Sequence, residues 1–154
     1  MEREKNIFDK IGSLIPGYRG YADRDGRRRC DKLLRNRVVE QIHKCESIID
    51  DRQTREIREK NLDALTDLEQ CRKRLNSLSS KVQFAPYGES GFFGDSQIKE
   101  EELSEIYQHD LDLLQQTDLL IELIENTPVE DILQFVERLY AILAARSDYI
   151  AECR

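Results

Sequence analysis

Tryptophan is absent from this chain, histidine occurs twice and proline three times. Aromatic residues make up only 7% of it, too little for a large aromatic ligand cage. No apolar run approaches the length of about 18 residues that a membrane-spanning helix requires, so none is expected. The opening residues, Met1-Glu2-Arg3-Glu4-Lys5-Asn6, lack the apolar centre of a secretory leader, and the cytoplasm is the expected compartment. Cys30, Cys45, Cys71 and Cys153 are scattered, with no Cys-x-x-Cys pair. A zinc site would need four separate segments to converge, so these are expected as reduced thiols, mostly small core residues. Neither His43 nor His109 has a His or Glu four residues on. Glu40-Gln41-Ile42-His43 matches the Glu-x-x-His element of di-iron bundles once, whereas such sites use it on two helices with two further glutamates. His109-Asp110 reads as an exposed pair. There is no phosphate-cradling glycine loop, serine elbow or dinucleotide fingerprint. No metal, no cofactor and no enzymatic activity are therefore expected.

What the chain does have is charge, and its distribution is lopsided. Charged residues are 36% of the total and apolar ones 39%, the profile of a charged helical protein. The net charge of −7 hides a basic front, where residues 1–44 hold 12 Lys/Arg against 7 Asp/Glu. Residues 100–154 hold 3 basic and 14 acidic residues. Front and back could attract one another within the fold or between copies.

The apolar residues recur with helical period. Ile7, Phe8, Ile11, Leu14 and Ile15 predict a short amphipathic helix over 6–14, able to pack on the rest of the fold, on a membrane surface or on a second copy. Cys30, Leu34, Val38, Ile42, Cys45 and Ile49 predict a long helix over 24–51, a rod of about 42 Å. The polar stretch 52–61 either extends it or forms a turn. Leu65, Leu68, Cys71, Leu75, Leu78 and Val82 mark the next helix, over 62–81. Leu103, Tyr107, Leu111, Leu114 and Ile124 stripe a third, over 100–126. Thr127-Pro128-Val129-Glu130 reads as a capping box with proline at the first helical position. It opens a last helix carrying Ile132, Val136, Leu139, Leu143 and Ile150 at near-heptad spacing. The expected architecture is all-α: one domain over 1–154, an antiparallel up-down bundle of four long helices preceded by a short N-terminal helix.

Two connectors break the pattern. Over 1–22 the short helix runs into Ile15-Pro16-Gly17-Tyr18-Arg19-Gly20-Tyr21, where Pro16 and Gly17 suit a type II turn. Beyond it Arg24, Arg28, Asp31 and Arg35 share one helical face, as a solvated ion-pair ladder or as guanidiniums covered by tyrosine rings. Over 84–98, Phe84-Ala85-Pro86-Tyr87-Gly88-Glu89-Ser90-Gly91-Phe92-Phe93 makes a loop too apolar to float freely. Antiparallel packing puts both connectors at one end of the bundle.

The first of these motifs, with its following arginines, Asp31-Lys32 and Leu34-Arg35, resembles the start of an uncharacterised family of small bacterial helical proteins. Tyr87-Gly88-Glu89-Ser90-Gly91-Phe92-Phe93 and the helix with Leu103, Tyr107 and Asp110 resemble later elements of that family. Gly26 departs from it, standing where an apolar helix former is usual. The resemblance implies a helical fold and no assigned activity. The functional expectation is a scaffold or adaptor, possibly homo-oligomeric, binding a protein partner through Tyr18, Tyr21, Arg24, Arg28, Asp31, Arg35, Tyr87, Phe92 and Phe93. The alternative is a basic-patch binder of nucleic acid or anionic lipid through the Arg24–Arg37 cluster.

Overall fold

The computed structural model describes residues 6–85, 91–94 and 97–153, and their regular structure is entirely helical. Asn6 opens the first helix, α1 (Ile7–Leu14), its side-chain oxygen accepting a hydrogen bond from the Asp9 N–H at 2.8 Å. Pro16 ends it, and the predicted turn follows: Gly17 has φ +85°, and the Tyr18 N–H donates to the Ile15 carbonyl at 3.2 Å. The predicted long helix does not begin as α-helix at Arg24. A single 3-10 turn spans Arg24–Gly26, and α2 (Arg27–Arg58) starts after Gly26, the residue type least suited to a helix after proline.

The polar stretch after Asp51 continues α2. Lys60 turns the chain in the left-handed conformation (φ 58°), and the Asn61 N–H donates to the Glu56 carbonyl at 2.9 Å, closing the helix end. Then come α3 (Leu62–Phe84), α4 (Glu100–Leu123) and α5 (Val129–Glu152). Glu102 reaches back to accept from the Lys99 N–H at 3.1 Å at the start of α4. The predicted cap on α5 is different in fact. The Thr127 hydroxyl donates backward to the Leu123 carbonyl, ending α4, and Pro128 takes the cap position. Arg52 completes that corner by donating to the Ile124 and Thr127 carbonyls at 2.9 and 2.8 Å, a cation at a helix C-terminus.

The chain reverses at every turn, but spatial neighbours are not all sequential ones. Hairpin α2/α3 lies beside hairpin α4/α5, so that α2 packs on α3 and α4, and α5 on α4 and α3. Gln41 of α2 bonds Asp118 of α4, and Arg74 of α3 pairs with Glu137 of α5. These registers make α2 run parallel to α4 and α3 parallel to α5. α3 ends and α4 begins at the same end of the bundle, on diagonally opposite corners. All the predicted α2 stripe residues are buried, as are Leu68, Cys71, Leu75, Leu78 and Val82. The four cysteines are free and buried within this core. Of the three settings open to α1, the structure shows packing on α4, with Ile11 and Ile15 buried.

Candidate functional site

The two connectors meet at one end, as antiparallel packing requires. Tyr21 lies edge-on to Phe92 with ring centroids 4.8 Å apart, stacks on Tyr107 at 5.6 Å, and meets Tyr18 edge-on at 5.6 Å. Phe92 in turn meets Phe93 at 4.6 Å. The loop is tied down by the Gly91 N–H donating to the Cys153 carbonyl at 2.8 Å. Gly20 lets this happen: its φ is +85°, and a Cβ there would lie 2.5 Å from the Tyr107 hydroxyl and 2.7 Å from Phe8 Cε2.

Beneath the rings lies a buried ionic network. Arg146 of α5 donates through Nε to Asp110 of α4 and through Nη2 to Asp31 of α2, both at 2.6 Å. Both carboxylates are 0% exposed and Arg146 is 3% exposed. Asp110 also accepts from the Tyr18 and Tyr21 hydroxyls, at 3.0 and 2.5 Å. Asp31 pairs with Arg35 at 2.8 Å, and Arg35 donates to the Ala85 carbonyl at the end of α3. Arg27, also buried, donates to the Tyr21 carbonyl at 2.9 Å, while the Tyr21 N–H donates to the Tyr107 hydroxyl at 2.9 Å. Asp31 and Asp110 are set against Arg146 and Arg35, with Arg27 a third guanidinium beside them, and the set joins the N-terminal arm to four helices. A buried ion pair holds only when its remaining valences are met; tyrosine hydroxyls meet those of Asp110, while Asp31 Oδ2 has the Arg35 ion pair and no hydrogen bond among the described residues.

Burial raises the Asp110 carboxyl above its ordinary range, opposed by Arg146 and the tyrosine hydroxyls. Burial alone would lower Arg146; Asp110, Tyr21 and Asp31 reverse that and hold it charged. Tyr18 and Tyr21 are pushed far upward, first by burial and then by the Asp110 charge. A phenol raised in the fold binds its proton more tightly there than in the unfolded chain. Its contribution to stability is thus present below the ordinary tyrosine value of about 10 and is lost as pH climbs above it. In an alkaline titration, Tyr18 and Tyr21 should ionise only together with loss of helical circular dichroism. Complete ionisation of all six tyrosines while the helices persist would contradict this geometry.

Of the residues expected to meet a partner, Tyr18, Tyr21, Asp31 and Phe92 are interior, so no docked molecule can touch them without opening the core. Arg24 and Arg28 are exposed, Arg35 and Phe93 half-buried, and Tyr87 lies outside the described residues. The expected surface ladder is in part a core device: Asp31 turns inward to Arg146. His109-Asp110 is not an exposed pair either, since Asp110 is sealed and His109 is half-buried beside Tyr149 at 5.5 Å. Glu40 and His43 both face solvent, and no cluster of metal-ligating side chains occurs among the described residues.

Sequence reasoning missed Arg146 altogether. A signal existed. Leu139, Leu143 and Ile150 leave a heptad gap that Arg146 fills, and Asp110 stands between Tyr107 and Leu114 in the same way. A charge on an apolar stripe asks for a partner.

Comparison with protein-family models, curated proteins and solved structures finds no match for this chain.

Proposed function

We propose that this protein is a non-enzymatic helical scaffold or adaptor whose docking surface is the outer face of the Tyr18–Arg35 corner. One observation carries the reading: within a single stretch the chain alternates between locked and displayed side chains. Tyr18, Tyr21, Arg27, Asp31 and Arg35 are engaged in the buried network, while Arg24, Arg28, Arg29 and Lys32 between them project into solvent. A surface whose backbone is already fixed loses little entropy on binding. Asp31, Asp110 and Arg146, the groups with the most chemistry to offer, are spent on one another, which supports a structural role for them. No described helix is long and apolar enough to cross a membrane. Action in the cytoplasm suits four free, buried thiols.

The second reading, a binder of nucleic acid or anionic lipid through the Arg24–Arg37 cluster, is favoured by the adjacent exposed pair Arg28-Arg29; Arg27 is buried and takes no part. Capture from native lysate with wild type and Arg28→Glu separates the two. An adaptor loses protein partners on charge reversal and keeps them after nuclease treatment. A nucleic-acid binder loses its catch with nuclease, and a lipid binder retains anionic vesicles rather than protein. Identical catches from wild type and variant would remove the corner as a docking surface.

A further inference from the structure

We infer that the occupant of the basic corner is a second copy of this chain, presenting the acidic shoulder where the start of α4 meets the end of α5. This deepens the adaptor reading and rests on it.

The two surfaces are complementary in sign. On the corner, Arg24, Arg28, Arg29 and Lys32 are exposed, tempered by Asp23 and Asp25. On the shoulder, Glu101, Glu102, Glu105 and Tyr149 line a shallow depression of about 710 Å³, with Lys99 the one cation among the described residues of its wall. Glu152 lies close enough, with Glu105 and Glu102, to add to the upward push that burial and Cys153 give the Tyr149 hydroxyl. The field over that depression is negative, and tyrosine supplies a flat face on which a guanidinium can rest.

The rest of the molecule argues for orientation. A chain of net charge −7 repels its copies at a distance, so attraction arises only when the basic front meets the acidic back. The first turn of α2 holds Arg27, Arg28 and Arg29 and no acidic residue, an arrangement the helix dipole disfavours.

The test is a charge swap read by light scattering. One protein carries Arg24→Glu and Arg28→Glu; the other carries Glu101→Arg and Glu105→Arg. Wild type should associate at low salt and dissociate at high salt, and each variant alone should associate at least roughly tenfold more weakly. An equimolar mixture of the two variants should recover association, because each then offers the face that the other lacks. Circular dichroism checks that both are folded, and glutamine at the same positions replaces any reversal that lowers helix content, with loss of wild-type association again the expected result. Monomeric wild type at low salt, or a mixture no heavier than its components, would overturn the inference. Should the lysate catch still depend on Arg28 and survive nuclease in that case, the corner stands as a docking surface and its occupant is a foreign acidic protein.

Discussion

Replacing Arg146 with methionine should cost about 3–5 kcal/mol of folding stability, the usual penalty for removing one partner of a buried ion pair. The shape of the side chain is roughly kept, so the loss is electrostatic. Asp31 and Asp110 would face each other in the interior without the guanidinium that now bridges them at 2.6 Å on each side. Stabilities of ordinary domains are about 5–15 kcal/mol, so the variant should show a large fall in its urea midpoint. Arg146→Lys should recover only part of the loss. The arginine reaches two helices through separate nitrogens of one planar group, whereas an ammonium is a single point charge. A midpoint shift near that of an ordinary surface substitution would mean that the carboxylates are not buried against Arg146.

Gly20→Ala should be nearly as damaging, for a different reason. Alanine at φ +85° costs about 1 kcal/mol in backbone conformation alone. Its Cβ would also collide with the Tyr107 hydroxyl and Phe8, and displacing packed rings costs about 1–3 kcal/mol more. The expected total is about 2–4 kcal/mol, with the docking of α1 onto α4 weakened most. Gly17→Ala is the internal control. It has the same φ, yet its nearest neighbour to a new Cβ is Leu33 Cδ1 at 3.9 Å, so only the conformational part applies. Equal losses from the two substitutions in thermal or urea unfolding would contradict the close approach at Gly20.

Periodicity made the helices legible, because each long helix buries one stripe and the stripe repeats at helical spacing. Cys30, Leu34, Val38, Ile42, Cys45 and Ile49 are all buried as their spacing requires. The meeting of the connectors was legible too, since two apolar, glycine-bearing segments at one end of a bundle have little else to cover. The diagonal order of the helices was not. Sequential neighbours at short loops are the default, and only pairs such as Gln41 with Asp118 and Arg74 with Glu137, which join α2 to α4 and α3 to α5, distinguish the observed order. The site itself was half read. Its aromatics and Arg35 stand out in the sequence, but Asp110 reads as a surface residue because a carboxylate ordinarily seeks water. Thr127 misled for a similar reason: a hydroxyl before proline can bond forward as a cap or backward to the preceding helix, and spacing alone does not choose.

The central claim is that arm, α2, α4 and α5 are held by one continuous polar network rather than by separate contacts. Tyr21 and Arg146 stand 125 residues apart in sequence, joined directly by a 3.3 Å hydrogen bond and indirectly through Asp110. A double-mutant cycle between Tyr21→Phe and Arg146→Met measures that connection. A coupling of about 0.5–3 kcal/mol is predicted; strictly additive losses would show that the arm and α5 are stabilised independently, and that the network does not exist as described.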